Sequence, residues 1–268
     1  MLRGFIDESH DGDNPPKVFE LSCIVTSDAG CLFFDMEWRA LLESKNEELR
    51  RQGREEISRF HAADFNNYQG DFKGWTPDEQ KDFSRRMVRV FERNPVHIHG
   101  WNMPLQLLVQ EFPETKPNPI GFAYITLLTH MMEQIGDTTL SIYKQDAISL
   151  HHDRCDYDAA LQEQFLGLVA EDSTFKYRNR FASLTSESWQ DCLLLQPADL
   201  IAYENFKESM RAHTNRDRRG SLAAIIDLDA VSGRSRGFTQ QGIREMKSIV
   251  DGLGEDAKAI LFAAARIK

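Results

Sequence analysis

Two apolar runs near the start of the chain constrain its fold more than any other feature. Phe5-Ile6 leads into Asp7-Glu8-Ser9, the residues from His10 to Pro16 read as a loop, and the run from Val18 to Thr26 is β-branched and aromatic. Residues 3–9 and 18–26 are therefore expected to form an antiparallel pair of strands, the second of them buried. Helical signals follow. Met36, Trp38, Leu41, Leu42 and Leu49 have the spacing of an amphipathic helix over 34–52, ended by Gly53. Thr76-Pro77-Asp78-Glu79 reads as a capping box with proline at the first helical position, and Phe83, Met87, Val90 and Phe91 supply the apolar face. Val96 to Trp101 alternates like a strand, Pro119 opens an apolar helix to about Ile135, and residues 147–153 read as a strand that closes on Asp153. A helix from Tyr157 to about Glu171, a strand at 181–186 and a helix at 193–210 come next. The tail holds Ile225-Ile226-Asp227-Leu228, an Arg/Gly/Ser loop at 232–237 and a helix capped by Thr239. Strands mixed with helices predict an α/β sheet with helical insertions, and no internal repeat interrupts the pattern.

Composition narrows the function. The 268 residues carry a formal net charge of −10, and 41% are hydrophobic. No run approaches the roughly 18 apolar residues of a membrane-spanning helix, and the first residues lack the apolar core of a secretory signal. The expectation is a cytoplasmic chain with no membrane attachment. Cys23, Cys31, Cys155 and Cys192 share no C-x-x-C spacing, which excludes a zinc ribbon and a disulfide scaffold, and Cys23 and Cys192 read as small core residues. The acidic balance argues against a chain coated for non-specific nucleic-acid binding. Local basic segments remain: Arg211, Arg216, Arg218 and Arg219 in one, Lys176, Arg178 and Arg180 in another. Each is either a solvated face or a surface for an anionic ligand.

Three aspartates stand beside apolar runs: Asp7 after Phe5-Ile6, Asp153 after Ile148-Ser149-Leu150, and Asp199 within Leu195-Gln196-Pro197-Ala198-Asp199-Leu200-Ile201-Ala202. Ionised carboxylates in such places are costly unless paired, hydrogen-bonded or bound to a cation, and several together hold a proton or a metal ion between them. Mg²⁺ prefers such oxygen ligands. Local roles compete at each position. Asp7 can simply end a strand, Asp153 can cap the following helix, and Asp199 follows Pro197 in a first turn, where an acid complements the helix dipole. His97 and His99 share a strand face as a candidate metal pair, and one of His151 and His152 must face the core.

Together, Phe5-Ile6-Asp7-Glu8-Ser9 at the start, the His-x-x-Asp of His61 and Asp64, and Leu195-Gln196-Pro197-Ala198-Asp199-Leu200-Ile201-Ala202 resemble the family catalogued as domain of unknown function 3800, over residues 3–210. The resemblance implies an RNase H-like fold: a central mixed sheet flanked by helices, Asp7 on the first strand, Asp153 at the end of the neighbouring fourth strand, and Asp199 on a later helix. It implies an RNase H-like domain over 1–210 with inserted helices at about 35–93, and a C-terminal extension over 211–268 packed on the same domain. His10 departs from the glycine usual after the first motif, and no motif matches beyond Met210.

The implied activity is a metal-dependent nuclease acting on RNA or DNA. Asp7, Asp153 and Asp199 would bind Mg²⁺ or Mn²⁺, with Glu8 and His61 as auxiliary catalytic groups, Glu8 disfavoured as a ligand because adjacent strand residues face opposite ways. Arg178, Arg180, Arg216, Arg218 and Arg219 would contact phosphates, with Arg234 and Arg236 as further basic groups in the tail. Two alternatives stand: a non-catalytic nucleic-acid-binding or complex-forming protein of the same fold, as in a mobile-element or phage-defence system, and a phosphohydrolase of small nucleotides, which would lack any G-x-x-x-x-G-K-[ST] phosphate cradle.

Overall fold

A computed structural model describes residues 1–11, 16–142, 146–212, 224, 225, 228, 231–255, 258, 262 and 265. Within them the chain forms a six-stranded mixed sheet with helices on both faces. The strands are β1 (Leu2–His10), β2 (Val18–Ser27), β3 (Val96–Pro104), β4 (Ile148–Asp153), β5 (Phe181–Glu187) and β6 (Val231–Gly237). Their order is β5-β4-β1-β2-β3-β6. β1, β2 and β3 are antiparallel neighbours, β4 runs parallel to both β1 and β5, and β6 runs parallel to β3.

The helices are α1 (Asp28–Arg51), α2 (Ala62–Asn67), α3 (Pro77–Arg93), α4 (Leu105–Glu111), α5 (Pro119–Ile142), α6 (Asp158–Leu166), α7 (Leu195–Ala212) and α8 (Gln240–Asp251). The first three lie between β2 and β3 in the chain. β2 is buried along nearly its whole length because helices cover both of its faces. Leu21, Cys23 and Val25 face one core with Phe122, Leu127, Met131 and Leu150. Ile24 and Phe5 face the other, with Trp38, Phe60, Phe83, Phe91 and Ile201. No helix among the described residues is long and apolar enough to cross a membrane.

Several elements differ from the sequence expectation for physical reasons. α1 begins at Asp28, six residues early, because the Ser27 hydroxyl caps it by accepting the Gly30 N–H at 3.1 Å. Met36 is 64% exposed rather than on the buried face, and Leu32 and Phe33 are exposed beside it. α5 continues past Ile135 to Ile142. Residues 232–237, expected as a loop, are strand β6. Their Arg, Gly and Ser residues carry little strand propensity, so the pairing is supplied by the open edge of β3. Gly233 suits that approach: a Cβ there would come within 2.4 Å of the Ile98 carbonyl oxygen. Cys23 is in the core, whereas Cys192 is only partly buried. The capping box of α3 forms as the sequence predicts, with Glu79 and Thr76 bonded reciprocally.

One polar side chain lies in the middle of this packing. Glu20 on β2 is fully buried and accepts from the hydroxyls of Ser22 and Ser209, each at 3.3 Å. Burial pushes its pKa up to about 8. Glu20→Gln, a neutral isostere, is expected to raise stability at pH 8 by on the order of 2 kcal/mol and to have little effect at pH 5, as read by urea unfolding. Equal effects at the two pH values would show that ionisation of Glu20 carries no cost.

Candidate metal centre

The parallel pairing of β1 with β4 decides which carboxylates meet. Phe5 pairs with His151 and Ile6 with His152, so the next residues along, Asp7 and Asp153, fall side by side at the same end of the sheet. Phe5 and His151 stack at 5.3 Å, and by the period of two Asp7 and Asp153 share their face. α7 crosses β1 and β2 on this face and brings Asp199 to it. Asp7 and Asp199 are both buried.

The electrostatics follow from that convergence. Burial, then the neighbouring charges of Asp199, Glu8 and Asp153, raises the pKa of Asp7 well above the usual carboxylate range. Burial pushes Asp199 up to about 6, against the opposing pull of His61, the Ala62 N–H and Arg59. Glu8 points the other way from its strand, where its carboxylate accepts from the Tyr124 hydroxyl at 3.1 Å. Burial nevertheless brings Glu8 up to about 7, with the charges of Asp153 and Asp199 adding to the effect. These carboxylates repel one another and offer the oxygen donors a hard divalent ion suits, but the ligand oxygens of Asp7, Asp153 and Asp199 do not all lie within 4.8 Å of one another, so they would have to draw together around an ion.

A strap of irregular chain, residues 57–61, lies against this site, and its backbone is held by side chains. Ile57 N–H donates to Asn46 Oδ1 at 2.7 Å, and Asn46 Nδ2 donates back to the Ile57 carbonyl at 3.0 Å. Asp71 Oδ2 accepts from Ser58 N–H at 2.7 Å and from Arg59 N–H at 3.2 Å. Gln196 Oε1 accepts from Phe60 N–H at 3.2 Å, and Asp199 Oδ2 accepts from Ala62 N–H at 2.8 Å. Gln196 and Asp199 are three residues apart and so share one face of α7. The Gln-Pro-Ala-Asp stretch is thus a clasp: one residue fixes the strap, and the other fixes it while keeping a second oxygen for the site.

The strap delivers two cationic or neutral donors to the carboxylates. His61 lies at the start of α2, with Nδ1 3.0 Å from Asp64 Oδ2. The Arg59 guanidinium lies 3.4 Å from Asp153 Oδ2 and 5.2 Å over the Trp189 ring. Its Nε is buried with no partner among the described residues. Arg59, Gln196 and Tyr124 were not singled out from the sequence. Gln196 alone had a signal, an amide inside an apolar run.

The other expected site residues are scattered. Arg178 and Arg180 form a turn just before β5, and Arg180 donates to the Asp146 carbonyl at 3.2 Å. Phe181 pairs with Ile148 at the start of β4, five residues from Asp153, so these arginines sit roughly 16 Å from the carboxylates along the strand direction. Arg216, Arg218 and Arg219 lie outside the described residues, as does the side chain of Arg234. The Arg236 guanidinium lies 5.8 Å over the Trp101 ring. His97 bonds Ser232 on β6, and the pair His97 and His99 belongs to no metal-ligand cluster among the described residues. His151 Nδ1 lies 2.8 Å from Glu187 Oε1, and His152 is the one facing the core.

Removing the clasp gives a direct test of the strap. Gln196→Leu leaves Phe60 N–H and the Trp38 indole N–H, which donates to the same oxygen at 3.3 Å, without an acceptor. The expected cost is roughly 2–3 kcal/mol in denaturant unfolding, with faster hydrogen exchange at Phe60 and Ala62. Unchanged exchange at both amides would mean that packing alone holds the strap.

No protein-family model, curated protein or solved structure matches this chain.

Proposed function

We propose that this protein is a metal-dependent nuclease of RNase H-like fold, related to the family of domain of unknown function 3800. The observation that carries the reading is that Asp7 and Asp153 end two parallel neighbouring strands side by side and α7 brings Asp199 to the same face, with Asp7 and Asp199 buried. The strand order β5-β4-β1-β2-β3, with the first three strands antiparallel and the next two parallel, supports the fold assignment.

In this reading Asp7, Asp153 and Asp199 would hold Mg²⁺ or Mn²⁺. The ion supplies charge stabilisation on a phosphoryl group and a more acidic bound water. The chain's own residues do the rest. Arg59 is placed to contact a phosphate beside Asp153, stacking on Trp189 keeps its guanidinium directed, and Asp64 orients the His61 ring for hydrogen bonding to substrate. Glu8, tied to Tyr124 behind the strand, tunes the charge of the cluster rather than binding substrate. Phosphate contacts of this kind position a strand without reading its sequence.

The test is cleavage of labelled single-stranded RNA, single-stranded DNA, both duplexes and the RNA–DNA hybrid in Mg²⁺ or Mn²⁺. The reading expects a product from at least one of them that vanishes in EDTA and in Arg59→Ala is reduced about tenfold or more. No product from any substrate, together with tight and salt-sensitive binding, would favour a non-catalytic nucleic-acid-binding protein. Arg59 is the observation on that side, since it partly neutralises Asp153 with no metal ion needed.

A further inference from the structure

We propose that His152, Cys155 and Asp158 form a second cation site, distinct from the aspartate cluster, for a thiophilic divalent ion of the Zn²⁺ class. The three residues come from one corner of the fold: His152 near the end of β4, Cys155 in the turn that follows, and Asp158 at the start of α6. One ligand atom from each lies within 4.8 Å of the others. Two of the three separations are shorter: Cys155 Sγ to Asp158 Oδ1 is 3.4 Å, and His152 Nδ1 to Asp158 Oδ1 is 3.8 Å. Bonds of about 2.0–2.3 Å to a tetrahedral ion put ligand atoms about 3.3–3.8 Å apart. Only the separation of imidazole and thiol has to close.

The donor set separates this site from the aspartates. Imidazole, thiolate and carboxylate together suit zinc and its neighbours, whereas an all-carboxylate cluster suits Mg²⁺ or Mn²⁺. The two sites also lie on opposite faces of β4, because His152 and Asp153 are consecutive strand residues. The surroundings are built as a metal site requires. His152 is 1% exposed, so its ring is held in place by the core around it. The second oxygen of Asp158 accepts from the Ser186 hydroxyl, an outer-shell bond that orients the carboxylate. Cys155 and Asp158 are only partly buried, which leaves the fourth position to water.

Binding exchanges protons in a defined way. The S–H bond of Cys155 breaks as the sulfur–metal bond forms, and that proton leaves to solvent. For Nδ1 to take the ion, its proton, now donated to the Asp153 carbonyl at 2.9 Å, would move to Nε2 and that hydrogen bond would be given up. The ion would then pin the corner that follows Asp153, so its role is structural, and the inference does not depend on nuclease activity.

Cobalt(II) reports thiolate ligation directly through a sulfur-to-metal charge-transfer band in the near ultraviolet. Co²⁺ added to the full-length, reduced, metal-free protein is expected to give that band at one equivalent, and Zn²⁺ is expected to bleach it. Cys155→Ser should abolish the band and Asp158→Asn should weaken Co²⁺ binding at least tenfold, both with unchanged circular dichroism. Asp7→Asn should leave the band intact. Absence of the band in the wild-type protein, or its survival in Cys155→Ser, would overturn the proposal. Loss of the band in Asp7→Asn with Cys155 intact would overturn the separateness of the two sites.

Discussion

Asp199→Asn is expected to abolish metal-dependent cleavage, by at least about a thousandfold, while leaving the fold intact. On the proposed reading, the several kcal/mol of charge stabilisation that a bound ion would supply would be lost when one of its carboxylates becomes an amide. The fold survives because Asp199 Oδ2 holds the Ala62 N–H, and an asparagine oxygen holds it equally well. Removing one of several buried like charges also relieves repulsion, since Asp7 is destabilised as an anion by Asp199 and Glu8. The metal-free variant should therefore unfold at the same denaturant concentration as wild type or a higher one. Asp7→Asn should behave alike. Glu8→Gln should be milder, because its carboxylate is bonded to Tyr124 on the far side of the strand. Full turnover in Asp199→Asn would remove Asp199 from the site. Loss of activity with a collapsed circular dichroism spectrum would reduce it to a strap fastener.

The second large effect is on stability against pH. Asp199 at about 6, Glu8 at about 7 and Glu20 at about 8 all bind protons more tightly in the folded chain than in the unfolded one, where carboxylates titrate near 4. Between these limits the folded state carries more protons, so stability falls as pH rises from about 5 to about 8. The expected loss in EDTA is on the order of 7 kcal/mol. Saturating Mg²⁺ should cancel the part that comes from the aspartate cluster and leave the part from Glu20, which lies apart among Ser22 and Ser209. Urea unfolding at pH 5, 6.5 and 8, with EDTA or Mg²⁺, measures both parts. Stability that rises over this range would contradict the buried, proton-holding carboxylates.

Much of the framework was legible because its signals are local. The β1–β2 pair follows from two apolar runs around a polar loop, and α3 from a capping box that lies within four residues. The three aspartates stood out because each breaks an apolar run. β6 was not legible: only Val231 in Val-Ser-Gly-Arg-Ser-Arg-Gly favours a strand, and the exposed edge of β3 makes it one. The exposure of Met36 was missed for a related reason, since the periodicity of α1 continues through Leu32, Phe33 and Met36 although no described element covers them. The clasp was hidden because its bonds join residues 136 and 137 positions apart, and the Glu8–Tyr124 bond spans 116. Side chains such as Gln196 and Arg59 acquire a role only when the fold brings the strap over α7.

On the reading proposed above, Asp7, Asp153 and Asp199 act as one site for a divalent cation. Titrating Mg²⁺ and Mn²⁺ into wild type, Asp7→Asn and Asp199→Asn, with heat and thermal unfolding as readouts, tests it most directly. At a hundredfold excess over Kd, wild type should gain about 2.7 kcal/mol, a rise of roughly 5–10 °C in Tm, and both variants should gain almost nothing. A wild-type protein that takes up neither ion, or variants that respond as strongly as wild type, would contradict a shared carboxylate site.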